Sequence, residues 1–190
     1  MCDISELIQR WQAGDENACE ALYDCHREPI FRLAYGLLGD PADAEEAAQD
    51  TLAYALGHIR QYNPALSSFS TWLHTIAVSR CRDRLRRRRW PWLSLATWLR
   101  QDSDVRDPAP NPEARTIQSE TRSQIWEAVQ ALSEPLREAI LLRYWAGHTF
   151  QEIASIVGCP LPTAQSRVRL AYERLRAALT PTALADLEEE

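Results

Sequence analysis

Apolar residues recur at three- and four-residue intervals through most of the chain, and no convincing strand pattern appears. The spacing predicts a short helix over residues 4–13, stopped by Gly14, and a longer one over 16–38, ended by Gly39. Pro29 falls inside the second, so a kink or break is expected there. Asp40-Pro41 opens the next helix, about 42–60, with the stripe Ala44, Ala48, Leu52, Ala55 and Ile59. Residues 61–68, QYNPALSS, read as a loop. A further helix over about 69–88 keeps Leu73, Ile76, Ala77 and Cys81 on its buried side.

Residues 89–112 change character: three tryptophans, Trp90, Trp92 and Trp98, precede a stretch of acids and prolines. That composition reads as a linker. Helices resume at about 113–131, and Ser133-Glu134-Pro135 starts another that ends at Gly147. Thr149 and Glu152 form a capping box that opens a helix over 150–157, with Phe150, Ile153, Ala154 and Val157 inward. After the turn Gly158-Cys159-Pro160, the last helix covers about 162–179, Pro162 fitting its first turn. Its inward positions are Leu161, Ala164, Val168, Ala171, Tyr172, Leu175 and Leu179. The expected fold is all-α: two helical domains, 1–89 and 120–180, joined by a flexible linker over 90–119. The C-terminal domain is a helix-turn-helix, followed by an acidic tail over 181–190.

Charge changes the picture. The net charge is −6 over 190 residues, which on its face argues against nucleic acid. Residues 1–79, however, hold four basic and twelve acidic groups, whereas residues 80–89 hold seven arginines and one aspartate. A local positive field of that density is what an anion meets. All 21 basic residues are arginine, which a GC-rich genome accounts for. The N-terminus lacks a basic region followed by an apolar one, so no signal peptide is expected. Five cysteines without a CxxC fit free intracellular thiols. Cys19, Cys25 and His26 lie close in sequence, yet their spacing matches no standard zinc pattern, and neither metal nor cofactor is expected. HExxH, P-loop and GxSxG motifs are absent, and His26, His58, His74 and His148 lie apart without an evident nucleophile. No enzymatic activity or small-molecule substrate is expected.

Three constellations carry chemistry. Segment 149–176 has the short helix, tight turn and longer basic helix of a helix-turn-helix, with Thr163, Ser166, Arg167 and Arg169 outward. Hydroxyls near a helix start allow close approach to a groove, and arginines reach phosphates or guanine edges. An amphipathic hairpin with a solvated basic face is the plainer reading. In the second, Trp72, Thr75, Ser79, Arg82 and Arg86 share one helix face, with Arg80 widening the positive field. The preceding loop offers Tyr62, Asn63 and Phe69 to an unstacked base. The third is an acidic face, Asp43, Glu46 and Asp50 with Gln49 beside them, either solvated or docking a basic protein.

Residues 40–89, DPADAEEAAQDTLAYALGHIRQYNPALSSFSTWLHTIAVSRCRDRLRRRR, and residues 131–176, ALSEPLREAILLRYWAGHTFQEIASIVGCPLPTAQSRVRLAYERLR, together resemble the extracytoplasmic-function (ECF) group of bacterial RNA polymerase sigma factors. With flanking helices the likeness covers about 160 residues. It implies a transcription initiation factor in the cytoplasm that binds core polymerase, directs it to promoters and helps melt the minus-ten element. Glu46, Gln49 and Asp50 match the helix that docks on the polymerase clamp, and residues 62–70 the loop that captures a flipped base. Trp72, Ser79, Arg80 and Arg82 lie on the minus-ten helix, and Thr163, Ser166, Arg167 and Arg169 on the minus-thirty-five recognition helix. Helix 135–146 lies where the family meets the polymerase flap. An anti-sigma factor is the implied regulator, without direct insertion of this chain into a membrane. Several positions depart from the family pattern: Ser79 replaces the usual Asn, Pro162-Thr163-Ala164-Gln165 replaces a Gly-Thr-Val-Lys type start, and Leu170 stands where Arg is common.

Two other functions remain open on the residues alone. A stand-alone helix-turn-helix regulator would bind duplex DNA by itself, but it leaves residues 40–89 unexplained. A membrane-surface protein would use RRRRWPWLSLATWLR as an interfacial segment.

Overall fold

The computed structural model describes residues 4–89 and 116–179. The Trp-rich linker segment and the acidic tail 181–190 lie outside the described residues. Helix α1 (Ile4–Gln12) leads into α2 (Glu16–Leu38) and α3 (Pro41–Gly57), and a 3₁₀ turn (Ile59–Gln61) precedes the loop to α4 (Phe69–Arg89). After the linker come α5 (Thr116–Gln130), α6 (Glu134–Ile140), a π turn (Leu141–Trp145), α7 (Phe150–Val157) and α8 (Leu161–Ala178).

Helix ends follow local chemistry. The Asp15 carboxylate accepts from the Asn17 amide at the start of α2, and Asp40 accepts from the Asp43 amide at the start of α3. Gly39 closes α2 in the left-handed region (φ 71°), where a Cβ would be strained. The Thr149–Glu152 capping box forms as expected, with the Thr149 amide donating to Glu152 Oε2 at 2.9 Å and the Glu152 amide to Thr149 Oγ1 at 3.3 Å.

Some expectations are corrected. Helix α2 runs unbroken through Pro29, which sits on its exposed side, where the pyrrolidine ring meets water rather than the packed core. The helix expected up to Gly147 is α only as far as Ile140 and then widens into the π turn. Leu161 is exposed rather than inward because α8 begins there, before its first turn reaches the core. Ile76 is half-buried.

In the N-terminal half, α2, α3 and α4 pack around Leu22, Ile30, Leu52, Leu73 and Val78. In the C-terminal half, α6, α7 and α8 pack around Leu142, Ile153, Val168 and Leu175. The halves meet where α7 lies on α4 and α6 on α2, so that their cores form one buried cluster.

Candidate nucleic-acid interface

Helix α4 divides into sectors because its side chains advance about 100° per residue. Leu73, Ala77 and Cys81 face the core, where burial pushes the Cys81 thiol up to about 12. Trp72, Thr75, Ser79 and Arg86 form an outward strip, with Ser79 and Arg86 exposed and Trp72 and Thr75 half-buried. The Thr75 hydroxyl donates back to the Thr71 carbonyl at 2.8 Å, and Arg86 meets Asp83 at 2.8 Å. Arg80 stands 4.9 Å above the Tyr54 ring.

The loop before α4 delivers the expected aromatics to the top of this strip. The Tyr62 ring lies 5.5 Å from Trp72 and edge-on to Phe69 at 5.3 Å, and its hydroxyl donates to the Ser67 carbonyl. Asn63 is exposed, its side-chain oxygen accepting from the Ala65 amide. Phe69 is placed differently from expectation. It opens α4, where the helix was expected to start, but is buried beneath Tyr62 and Trp72, with His26 against it, rather than offered to a base. Tyr62 and Trp72 therefore offer what aromatic surface the trio leaves to a base.

Arg82 sits on the border between the outward strip and the flank that faces the C-terminal half. Its Nε and Nη2 donate to the two Glu138 oxygens at 2.6 Å each, and Nη1 and Nη2 to the Val157 carbonyl at 3.2 Å. The Glu138 hydrogen bonds raise the Arg82 pKa further. Along the same flank, Thr71 donates to Glu152 Oε1 at 3.1 Å, and His74 Nδ1 meets His148 Nε2 at 2.5 Å. The four histidines lie apart in sequence, yet two of them join across the halves. Sequence periodicity could not find that pair, because the partners are 74 residues apart.

The acidic face forms on α3, and α4 supplies its countercharges. Arg84 reaches Glu46 at 2.8 Å, Asp50 at 3.2 Å and Asp43 at 3.6 Å, and Arg88 pairs with Asp43 and Asp40. Gln49 is exposed and donates to Glu45. Arg84 and Arg88 were legible in principle, since their four-residue spacing complements the acidic row. Cys19, Cys25 and His26 do not converge: Cys25 is exposed, His26 Nδ1 bonds the Leu22 carbonyl, and no cluster of three metal-ligating residues occurs among the described residues.

On α8, Ser166 and Arg169 are exposed, Thr163 and Arg167 are half-buried, and the exposed Leu170 lies beside them. Tyr144 and Trp145 on the π turn are also exposed, at 59% and 52%.

Two family models match these two halves: Sigma-70 region 2 over residues 22–91, and Sigma-70, region 4 over residues 122–175. The RNA polymerase sigma-H factor of Pseudomonas aeruginosa is 31% identical over 185 residues, spanning 93% of both chains. The chain belongs to the sigma-70 family. Within it, the ECF RNA polymerase sigma factor SigW of Bacillus subtilis is 26% identical across 93% of this chain and 96% of its own, which accords with the ECF group. The solved sigma factor RpoE of Bartonella quintana, in complex with the anti-sigma factor NepR, shares the fold with a TM-score of 0.65 at 24% identity, over 84% of this sigma factor and 94% of that chain. CnrH, solved with the cytosolic domain of CnrY, matches with the same TM-score at 19% identity, over 90% and 93%. No helix among the described residues of the sigma factor is long and apolar enough to cross a membrane.

Proposed function

We propose that this ECF sigma factor binds core RNA polymerase through the acidic face of α3, melts and reads the minus-ten element with α4 and its preceding loop, and reads the minus-thirty-five element with α8. The observation that carries the reading is the outward strip of α4. Thr75, Ser79 and Arg86 continue along α4 from the Tyr62–Trp72 aromatic pair, a surface able to stack an unpaired base and follow its phosphates. Reading an unstacked base requires such a surface, because unstacking costs a few kcal/mol that stacking and phosphate contacts must return. Thr163, Ser166, Arg167 and Arg169 meet duplex DNA in the major groove.

Asp43, Glu46, Gln49 and Asp50 meet a basic surface of the clamp, and the exposed Tyr144 and Trp145 beside α6 meet the flap. The chain itself makes and breaks no covalent bond; the polymerase carries the chemistry. An anti-sigma factor holds it inactive in the cytoplasm.

The test is a gel shift and a run-off transcription assay on a promoter library, with and without purified bacterial core polymerase. Sequence-specific open complexes that need both components support the reading. Specific duplex binding by the chain alone overturns it in favour of a stand-alone regulator.

A further inference from the structure

The outer face of α8 carries one side chain that a basic helix has no use for in holding phosphates. Leu170 is 42% exposed. Helix α8 turns Ala164, Val168, Ala171 and Leu175 into the core. At about 100° per residue, Thr163, Ser166, Arg167 and Leu170 then fall within one outer sector, with Leu170 between Thr163 and Ser166 in angle. The exposed Arg174 continues the strip one turn on. Other elements fasten this half to α2: Gln130 on α5 and Arg137 on α6 donate to the Gly36 and Leu37 carbonyls, both at 2.8 Å. Helix α8 itself packs on α6 and α7, so its outer strip is left for a partner outside the chain.

An exposed leucine is ordinary on a protein surface, so its surroundings decide what it does. Here hydroxyls and an arginine flank it on a helix read as entering the major groove. A leucine neither donates to nor accepts from a base edge. Base edges in that groove present hydrogen-bonding atoms and one methyl group, that of thymine C5. Against guanine O6 and N7 a leucine would displace water from two acceptors and return no hydrogen bond. The seven residues from Thr163 to Leu170 rise about 10.5 Å, which fits within the groove's width of about 12 Å. Leu170 stands four residues beyond Ser166, about 6 Å along the helix, or close to two base-pair steps of about 3.4 Å.

We propose that Leu170 is a specificity-determining residue of the minus-thirty-five contact, its side chain packing on the C5 methyl of a thymine about two base pairs from the one that Ser166 faces. The inference rests on the proposed reading of α8 and names what that helix prefers. An arginine at this point of the helix would select guanine through two donated hydrogen bonds. Leu170 selects thymine through the burial of a methyl group.

The experiment uses holoenzyme assembled from the full chain and purified bacterial core polymerase. A promoter is first selected with wild-type holoenzyme from a library randomised over the minus-thirty-five element. Each thymine of the selected element, on both strands, is then replaced in turn by deoxyuridine, which keeps the base's hydrogen-bonding groups and removes only the methyl. Competition binding is measured for wild type and Leu170→Ala. We expect wild type to lose about fourfold at one thymine, the worth of one buried methyl group, and Leu170→Ala to lose nothing further at that position. A second selection with Leu170→Arg puts guanine at the same base pair. An element in which no thymine responds to deoxyuridine, or one whose response is unchanged in Leu170→Ala, overturns the methyl contact while leaving α8 as the recognition helix. Equal losses by Leu170→Ala on intact and scrambled elements place Leu170 against protein rather than DNA and overturn it too. A wild-type selection without any minus-thirty-five preference overturns the reading of α8 itself, and this inference with it.

Discussion

Arg82 and Glu138 face each other through two hydrogen bonds of 2.6 Å, one partner on α4 and the other on α6 in the C-terminal half. Arg82 is 40% exposed while Glu138 is 6% exposed at its side chain, so the two members of the pair are not equivalent. Removing the arginine strands a buried carboxylate; removing the carboxylate lets the arginine turn to water. Arg82→Met therefore destabilises the chain by about 2 kcal/mol, less than a fully buried pair because Arg82 is partly solvated. Glu138→Leu costs less, and the double substitution restores much of the loss. Urea unfolding of the four proteins in the mutant cycle measures the coupling; simple additivity would contradict it.

The His74–His148 pair makes the junction sensitive to acid. Burial, followed by the nearby His148 and His26, brings the His74 pKa down to about 4. Burial also lowers His148, against the opposing pull of Glu152, whose carboxylate is 3.7 Å from Nδ1. The groups facing the pair are thus His26 from α2, the Thr71 hydroxyl from α4 and Glu152 from α7. A histidine depressed while the halves are joined and ordinary once they part favours the joined state fully above pH about 6.5, and that support is lost as pH falls towards 4. Between pH 7.5 and 5.5 the equilibrium for parting the halves rises about tenfold for His74 alone. His74→Asn, which keeps a hydrogen-bonding group near the Nδ1 position, flattens that dependence; small-angle scattering across the pH range would expose an unchanged slope.

Arg84 gathers Asp43, Glu46 and Asp50 around one guanidinium whose side chain is only 15% exposed. Its ion pairs raise its own pKa, led by the hydrogen bond to Glu46. Arg84→Met removes the α4 countercharge from Glu46 and Asp50, while Arg88 still pairs with Asp43. Stability falls by about 1 kcal/mol, while the face becomes more negative and its binding to core polymerase more steeply salt-dependent. Thermal melts and a salt titration of holoenzyme assembly read the two effects separately.

Thr149 caps α7, the helix that also carries Glu152 and the Val157 carbonyl to the junction. Thr149→Ala lowers stability by about 1 kcal/mol, measured by urea unfolding. The Thr149 amide, and after it the Thr149 hydroxyl, hold the Glu152 pKa down; the variant keeps the amide and loses the hydroxyl, so the pKa rises part of the way back, which carboxylate NMR titration would detect.

On α8, Arg167→Ala weakens transcription from promoters that depend on a minus-thirty-five element and leaves holoenzyme assembly unchanged. Run-off assays with that element intact or scrambled check it; equal losses on both templates would place Arg167 outside the recognition surface.

Most of the helices could be read from apolar spacing and from end signals that act locally: Gly39, Asp40 and the Thr149–Glu152 box each form the contact their position implies. Pro29 misled because its cost depends on which side of α2 meets water, a tertiary matter. The outward strip of α4 was legible because i, i+3 and i+7 positions share a face whatever surrounds them. The placement of Arg82 was not legible, since it stands at the edge of two sectors and its partner is 56 residues away. The His74–His148 contact was hidden for the same reason: it arises from the way the halves seat on one another, which no window of neighbouring residues encodes.

At the end of α2, the C-terminal half grips main-chain oxygens of Gly36 and Leu37 rather than side chains. A main-chain acceptor is present whatever residue occupies the position, so drift along this part of α2 removes neither bond unless it adds bulk. One side of the attachment is consequently buffered against mutation, and evolutionary tuning of its strength falls on Gln130 and Arg137, the donors that reach across.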